Sequence, residues 1–394
     1  MKRLLVFTGW YPTEEHPLQY PFVAQQVKIL QKYLPQLSGE TWKIVVWHQT
    51  QPGDLPNIIL RGKKRTQRNW NDEGIEILRR QGVIISHRIQ SNQNILVKRS
   101  YRKTYSEIIK KLDGVPDLVL TVTLSSAILW DWISTQLKID VPFILQEHSN
   151  PLSMHLKKSY KIKAAKKMAE YISQTIVVAE RQIEEFKELS DQFNCKIIWN
   201  SVHESFLNTD FEKKIEPYSI LFVGRLSQEK GLRRLFYAIK QVEEEFPKIK
   251  LWIVGYGELK SDLLITAEEL EIENKVKFLG SAKPPEISEI MESAELFVLP
   301  SIYENCPVSL LEAQVKGMPC IVTENNASEK VLLHGNGMAV SDSGDGKQLA
   351  EGLKTMLTNM DQYDRKTIRD RAIQEFSPEV FAGKMYGVFE TILN

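Results

Sequence analysis

Short apolar runs alternate with amphipathic stretches along the first half of the chain. After a first run that ends near Thr8, predicted strands fall at 43–47, 83–86, 117–121, 141–145, 175–178 and 196–199. Between them, helical periodicity covers 22–33, 101–112, 125–137, 161–173 and 180–189. Strands that alternate with helices in this way predict a mostly parallel, doubly wound α/β sheet.

The same alternation begins again after a polar, proline-bearing stretch. Predicted strands follow at 219–223, 251–254, 276–279, 296–299 and 320–323, and helices at 347–357, 363–376 and from Ser377-Pro378 to 393. A chain of 394 residues exceeds the size at which one core usually keeps growing. We therefore predict two Rossmann-like domains, 1–203 and 218–376, joined by a linker at 204–217.

Composition describes a globular protein, with 42% apolar and 26% charged residues. The net charge of +1 gives no overall attraction to nucleic acid, so we expect no nucleic-acid partner. Basic residues nevertheless cluster in the first half, at 61–68, 98–103 and 157–167. Two readings stay open for these clusters: solvated surfaces, or contact with anionic lipid headgroups or a lipid-diphosphate acceptor.

Three cysteines, Cys195, Cys306 and Cys320, form no C-x-x-C pair, so neither a disulfide framework nor a zinc site is expected. The apolar run at the N-terminus is too short for a signal peptide. The longest uncharged span, 118–130, is shorter than the roughly 20 residues of a transmembrane helix. We expect a cytoplasmic protein, with any membrane contact peripheral on the cytoplasmic face.

The pattern of the stretch 296–320 predicts a strand, a loop, a helix and a second strand, and the stretch contains two carboxylates. Glu304 lies in the loop, and Glu312 lies about two turns into the helix that Pro307 opens. Side chains lean toward a helix N-terminus, so Glu312 can reach the crevice that Glu304 enters. The free N–H groups of Cys306, Val308 and Ser309 suit a phosphate there, and a carboxylate suits a ribose diol.

Two cations lie five positions apart in Gly224-Arg225-Leu226-Ser227-Gln228-Glu229-Lys230-Gly231, which follows a predicted strand. A phosphate or diphosphate bound at this strand end would carry negative charge, and Arg225 and Lys230 can balance it. The chain contains no Asp-x-Asp, so we expect no metal site. The turn Gly255-Tyr256-Gly257 follows the next predicted strand.

These motifs resemble those of the family 4 retaining glycosyltransferases, which have the two-domain GT-B fold. The family carries Glu-x7-Glu, matched by Glu304 and Glu312, and Gly-Arg-Leu-x-x-x-Lys-Gly, matched from Gly224 to Gly231. The resemblance implies that Glu304 contacts the donor sugar, Glu312 the ribose, and Arg225 and Lys230 the diphosphate. It also places the turn Gly255-Tyr256-Gly257 near the nucleotide. It also implies that the last helix, 377–394, crosses back onto the first domain, and that the two sheets face a shared cleft.

The sequence departs from the family in two places. Asn305, Cys306 and Pro307 stand where many members have Gly-Phe-Gly, so the placement of the donor sugar can differ. Proline in this position is common among bacterial surface-polysaccharide enzymes of the family. Asn200-Ser201-Val202-His203 resembles the family's Asn-Gly-Val-Asp with two substitutions, which leaves its role undefined.

The first domain carries fewer recognisable residues. By resemblance, His148 after a predicted strand contacts the donor sugar from the acceptor domain and stabilises charge. Gly9, Trp10 and Tyr11 lie at the end of the first predicted strand, and the resemblance implies that they face the acceptor. Glu147 and Asn150 are candidates for binding acceptor hydroxyls. For the aromatic residues, simple cover of the sheet end is an equal alternative.

The resemblance implies a metal-independent retaining glycosyltransferase of polysaccharide biosynthesis. The donor would be a nucleotide-diphosphate sugar, with UDP favoured and GDP possible, and the acceptor a glycan or lipid-linked glycan. No further cofactor is expected. A nucleotide-sugar epimerase, a phosphorylase and a non-catalytic GT-B binding protein remain the alternatives.

Overall fold

The computed structural model describes residues 1–13, 20–49, 69–80, 95–149, 151–324, 327–341 and 344–394. The chain forms two compact units, Met1–Ile198 with Ala382–Asn394, and Trp199–Phe381. The predicted linker, 204–217, therefore belongs to the second unit, and the last part of the C-terminal helix belongs to the first.

The first unit is built on an eight-stranded sheet with the order β3-β4-β2-β1-β5-β6-β7-β8. All of its strand pairs are parallel except β3 with β4. The strands are β1 Lys2–Thr8, β2 Trp42–Gln49, β3 Asn69–Asp72, β4 Ile75–Arg80, β5 Leu118–Val122, β6 Phe143–Glu147, β7 Gln174–Val177 and β8 Cys195–Ile197.

Helices and an aromatic core complete the first unit. Phe7, Trp47 and Trp130 are fully buried, and the Phe7 ring meets the Trp47 ring edge-on at 5.1 Å. Aromatic pairs of this geometry add to the stability that burial alone provides. The helices are α1 Pro21–Ser38, α2 Ile95–Leu112, α3 Leu124–Leu137, α4 Ser159–Met168 and α5 Glu180–Leu189.

The hairpin formed by β3 and β4 is absent from the sequence prediction. Glu73 and Gly74 both have positive φ angles, 51° and 92°, and Asp72 pairs directly with Ile75. Two positive φ angles in a two-residue loop define the turn that best matches the twist of paired strands. The Glu-Gly pair before the alternating Ile75 and Ile77 was the available signal. The predicted strand at 83–86 lies outside the described residues.

The second unit contains a six-stranded parallel sheet with the order β11-β10-β9-β12-β13-β14. Its strands are β9 Ser219–Val223, β10 Lys250–Val254, β11 Val276–Gly280, β12 Leu296–Leu299, β13 Cys320–Thr323 and β14 Gly337–Val340. Only β14 lacks a counterpart among the predicted strands, because its short run Gly-Met-Ala-Val is weakly apolar. Two doubly wound, parallel-sheet units confirm the predicted α/β class.

Eight helices accompany the second sheet in the described residues. They are α6 Leu232–Val242, α7 Lys260–Glu269, α8 Pro284–Ser293, α9 Val308–Val315, α10 Ser328–Val331, α11 Lys347–Thr358, α12 Arg365–Phe376 and α13 Pro378–Leu393, which continues into the first unit. In the described part of the chain, no helix combines the length and apolarity needed to cross a membrane.

The stretch 204–217 packs on the second unit through a buried lysine. Lys316 is fully buried, pairs with Glu292 at 2.6 Å and donates a hydrogen bond to the carbonyl oxygen of Asn208. Phe206 is buried as well, and Arg369 donates to the carbonyl oxygen of Leu207 at 2.5 Å. A buried cation requires such partners, so these contacts hold the stretch against the unit.

Candidate functional site

Three neighbouring strands of the second sheet, β10, β9 and β12, end at one edge. Because all three are parallel, the segments that follow them lie side by side, at the edge where ligands bind in open α/β sheets. Gly224 and Arg225 follow β9, the turn 255–257 follows β10, and the loop 300–307 follows β12. The sequence-predicted residues of this unit therefore share one edge.

Lys230 and Glu304 form an ion pair that joins the segments after β9 and β12. The Lys230 Nζ lies 2.5 Å from Glu304 Oε1, and the Ser301 hydroxyl donates to the same oxygen at 2.7 Å. The two side chains are only 21% and 9% exposed. The Ile302 N–H also donates to the carbonyl oxygen of Glu229 at 2.7 Å, so backbone and side chains hold the two segments together.

Glycine is required at two positions where these segments approach each other. Gly231 has a φ of 65°, and a Cβ there would collide with the carbonyl oxygen of Pro300. Gly255 has a φ of 147°, and its Cβ would collide with the carbonyl oxygen of Gly224. Only a residue without a side chain combines such φ angles with such close approach. The glycines of both motifs thus bring three strand ends within reach of one ligand.

Arg225 lies beside the turn after β10 rather than beside Glu304. Its Nη2 is 3.2 Å from Glu258 Oε2, and both side chains are largely exposed, at 62% and 58%. The Leu226 N–H donates to the carbonyl oxygen of Tyr256 at 2.8 Å, which ties the two turns together. An exposed pair contributes little to stability, so the guanidinium can exchange Glu258 for an anionic ligand at low cost.

Helix α9 begins immediately after Pro307, which precedes the first helical residue instead of occupying it. The Pro307 carbonyl oxygen accepts from the Leu310 N–H at 3.0 Å, which closes the first turn. Val308 and Ser309, both half-buried, have N–H groups without acceptors inside the helix. With the helix dipole, these groups favour an anion at this end.

Glu312 is a buried carboxyl group on α9. Burial raises the pKa of Glu312 to about 8. No residue in the described ranges donates a hydrogen bond to its side chain or pairs with it. Because a buried polar group without a partner destabilises the fold, a ligand with hydroxyl groups would find an acceptor here.

Asn200 fixes the loop between Glu304 and α9. Its backbone N–H donates to the Cys306 sulfur at 3.4 Å, and its side-chain amide donates to the Cys306 carbonyl oxygen at 3.1 Å. Burial raises the pKa of the Cys306 thiol to about 12, so it remains uncharged. Cys306 therefore acts as a buried spacer, while the half-buried Asn305 stays near the surface.

His148 follows β6 in the first unit. Its ring packs on Phe22, with ring centroids 4.9 Å apart, and burial lowers the pKa of His148 to about 3. The imidazole is therefore neutral at neutral pH. It therefore lacks the positive charge that would balance a developing anion.

Glu147, an expected acceptor residue, is fully buried. Its carboxylate accepts from the Leu124 N–H at 2.6 Å, from the N–H groups of His148 and Ser149 at 2.9 and 2.8 Å, and from the Ser149 hydroxyl at 2.5 Å. The two oxygens thus secure the end of β6 and the start of α3. This geometry does not favour contact with an acceptor.

Two of the three residues at the end of β1 remain accessible. Gly9 and Trp10 are half-buried, whereas Tyr11 is buried and its hydroxyl donates to Asp72 at 3.0 Å. Burial and the neighbouring Asp72 raise the pKa of Tyr11. The Tyr11 hydroxyl is therefore occupied by its hydrogen bond to Asp72 within the unit. Asn150, another expected acceptor residue, lies outside the described residues.

Sequence reasoning missed Glu258 and Ser301, which partner Arg225 and Glu304. Glu258 directly follows the Gly255–Gly257 turn, and Ser301 follows Pro300, the first residue after β12. Their closeness in sequence to these turns could have indicated both residues. Their pairing with Arg225 and Glu304, however, depends on which strands are neighbours in the sheet.

The second unit is similar in sequence to a known protein family. Residues 206–374, which include every second-unit candidate, match the family model described as glycosyl transferases group 1. The uncharacterized glycosyltransferase MJ1607 of Methanocaldococcus jannaschii is 27% identical over 215 residues, 49% of this chain and 54% of that protein. The amylovoran biosynthesis glycosyltransferase AmsK of Erwinia amylovora is 29% identical over 141 residues, 34% of this chain and 35% of that protein. The chain thus spans about half and a third of these relatives.

Solved structures show the fold across the whole chain. Sucrose-phosphate synthase from Thermosynechococcus elongatus superposes with a TM-score of 0.73 at 16% identity, covering 100% of this chain and 99% of that one. Anabaena Alr3699/HepE, in a complex with UDP, gives a TM-score of 0.70 at 16% identity and covers 99% of this chain and 100% of its own. The fold is GT-B, and the family match and relatives support a glycosyltransferase.

The buried carboxyl of Glu312 predicts a specific pH dependence of stability. Its pKa is raised on folding, so the folded state prefers the protonated form, and stability falls as pH rises through about 8. We expect Glu312→Gln to unfold at higher temperature than the wild type above pH 8, by at least about 1 kcal/mol in stability. Near pH 5 the two proteins should differ much less.

Thermal unfolding followed by far-UV circular dichroism across this pH range provides the measurement. Glu269→Gln, an exposed substitution on α7, is the matched control and should follow the wild-type curve. A Glu312→Gln protein whose stability depends on pH as the wild type does would contradict the burial argument.

Proposed function

We propose that this protein is a retaining, metal-independent glycosyltransferase. In this proposal it transfers a sugar from a nucleotide diphosphate to a hydroxyl group of a glycan or lipid-linked glycan. The match of residues 206–374 to a glycosyltransferase family supports the class of reaction. The donor, the stereochemistry and the independence from metal are our inference from the residues of the second unit.

The observation that carries the proposal is the Lys230–Glu304 pair at the carboxyl edge of the second sheet. A lysine held by a carboxylate beside a helix N-terminus is a cation positioned before any ligand arrives. An anionic ligand at the N–H groups of Val308 and Ser309 would find that cation close by. Preorganised charge of this kind stabilises a developing anion without reorganisation during the reaction.

Each residue then receives a role in the proposed reaction. Lys230 and Arg225 balance the charge of the departing diphosphate, and the first turn of α9 binds its oxygens. Glu312 accepts hydrogen bonds from the ribose hydroxyls. Glu304, fixed by Lys230 and Ser301, orients the sugar. When the diphosphate binds, Lys230 is shared between it and Glu304.

Retention fits a front-face attack in this scheme. The acceptor oxygen attacks the anomeric carbon from the side of the leaving group, the bond from that carbon to the phosphate oxygen breaks, and the leaving phosphate takes the acceptor proton. Glu304 is held by Lys230 and Ser301, and in this scheme it orients the sugar and forms no covalent intermediate. His148 remains a proposed hydrogen-bonding contact to the donor sugar.

Relatives suggest the type of substrate. HepE was solved with UDP, which supports UDP over GDP as the nucleotide in our proposal. The name of AmsK refers to amylovoran biosynthesis, which supports a polysaccharide or its lipid-linked precursor as the acceptor. An epimerase on the same fold would convert the donor sugar without any acceptor, so product analysis distinguishes the two activities.

The two cations predict different effects on binding and turnover. Lys230→Ala removes the preorganised charge, and we expect transfer to fall by about 10²-fold or more. Arg225→Ala should weaken nucleotide binding and lower transfer less, because the Arg225 side chain is mostly exposed. Thermal shift with UDP, GDP and ADP reports binding, since a ligand that binds only the folded state stabilises it.

Arg233→Ala is the matched control for Arg225→Ala. Arg233 pairs with Asp262 at 3.5 Å, and this pair is about as exposed as Arg225–Glu258, at 57% and 51%. The Arg233→Ala substitution should leave both the thermal shift and sugar transfer unchanged. The proposal fails if none of the three nucleotides stabilises the wild type, or if Lys230→Ala transfers sugar at the wild-type rate.

A lysine-rich surface of the first unit supports the further proposal of peripheral contact with an anionic membrane. Helix α4 carries Lys163, Lys166 and Lys167 in exposed positions and no acidic residue. Two apolar side chains nearby are exposed as well, Met154 at 55% and Ile162 at 36%. Lysines that flank exposed apolar groups suit the surface of an anionic bilayer.

We expect the protein to sediment with phosphatidylglycerol vesicles but not with phosphatidylcholine vesicles, and to be released by salt. Lys163, Lys166 and Lys167 changed together to Ala should abolish this binding. Arg102, Lys103 and Lys110 changed together to Ala is the control, because it removes the same charge from α2, whose described part exposes no large apolar side chain. Equal loss from both triple variants would assign binding to net charge alone and refute a specific surface.

A further inference from the structure

Four rings meet at the carboxyl edge of the first sheet, and we name them the aromatic platform: Trp10, Tyr20, Phe22 and His148. Trp10 and Tyr20 stack with an interplanar angle of 5° and centroids 4.5 Å apart. Phe22 meets Trp10 edge-on at 6.3 Å and packs on His148 at 4.9 Å. Trp10 follows β1 and His148 follows β6, so the platform lies where ligands bind in parallel sheets.

The platform is separate from the core of the unit. Phe7, Trp47 and Trp130 fill the interior and are fully buried. By contrast, Trp10, Tyr20 and Phe22 are each half-buried. Their partial exposure leaves ring surface that a ligand can contact.

The backbone holds two of the rings in fixed positions. The Trp10 N–H donates to the Thr8 hydroxyl at 2.8 Å, and that hydroxyl donates to the Trp10 carbonyl oxygen at 3.2 Å. Tyr20 has φ and ψ angles of 54° and 40°, the left-handed region, at the residue that precedes α1. A tyrosine adopts this conformation only at an energetic cost, and such strain is concentrated at functional sites.

We infer that the aromatic platform binds a sugar ring of the acceptor, which makes the acceptor a glycan recognised by stacking rather than by a lipid chain. This inference rests on the proposed glycosyltransferase function. The flat face of a hexose presents C–H groups that suit the electron-rich face of an aromatic ring. The indole N–H of Trp10 also matches a sugar hydroxyl group, whereas a lipid chain would offer it no polar partner.

Saturation-transfer difference NMR tests the platform without donor or turnover. The probes are the methyl glycosides of glucose, galactose, mannose and N-acetylglucosamine, with farnesyl phosphate as the lipid probe. We expect at least one glycoside to receive saturation mainly on the C–H protons of one ring face, and farnesyl phosphate to receive none. Trp10→Leu and Tyr20→Asn should lose the glycoside signal.

Tyr20→Asn also separates a binding role from a structural one. Asparagine adopts the left-handed conformation more readily than tyrosine, so this variant should be at least as thermally stable as the wild type while it loses the sugar signal. Tyr20→Phe keeps the ring and should keep the signal. Tyr33→Asn removes a half-buried ring farther along α1 and should also keep it.

The inference is overturned if no glycoside gives a signal with the wild type, if Trp10→Leu and Tyr20→Asn retain it, or if only farnesyl phosphate gives one. A lower melting temperature for Tyr20→Asn would mean that its ring serves the fold. Failure of the proposed function appears elsewhere, as the absence of stabilisation by UDP, GDP and ADP, so the two outcomes are distinguishable.

Discussion

The ion pair between Lys230 and Glu304 connects the segments that follow β9 and β12, and the rest of the candidate site is arranged around it. Both charges are largely removed from water, and the cost of that removal offsets most of their attraction. Such a pair adds little net stability. The pair instead fixes the positions of a cation and a carboxylate beside the start of α9.

Glu312 and Tyr20 likewise lower the stability of the fold and hold chemical groups in fixed positions. One is a carboxyl group whose burial raises its pKa to about 8, and the other is a tyrosine in the left-handed region. Neither feature benefits the isolated fold. Both place chemical groups at the carboxyl edge of a parallel sheet, where the binding of a ligand can offset the lost stability.

The sequence was sufficient to predict the two-sheet α/β class and most strands of the second unit, because fully buried parallel strands form apolar runs such as Leu296–Leu299. It also located the glycines of the turns, whose backbone geometry admits no side chain. The hairpin β3–β4 escaped because it depends on a short turn rather than on an apolar run. The packing of 204–217 on the second unit was not predicted, because it depends on Lys316, more than one hundred positions away.

Side-chain partners were harder to predict than elements. The linear pattern did not indicate that Arg225 pairs with Glu258 and Lys230 with Glu304, on either side of β9. Glu147 follows a strand end as a binding residue would, but four hydrogen bonds commit it to the fold. Such choices depend on which backbone donors lie within reach after folding, and a linear pattern does not contain that information.

In the proposed reaction, side chains and a helix end hold the diphosphate without a divalent ion. Calorimetric titration of UDP into the protein, first with EDTA and then with magnesium, measures whether this is so. We expect dissociation constants that agree within about twofold under the two conditions. Binding that disappears in EDTA and returns with magnesium would contradict it.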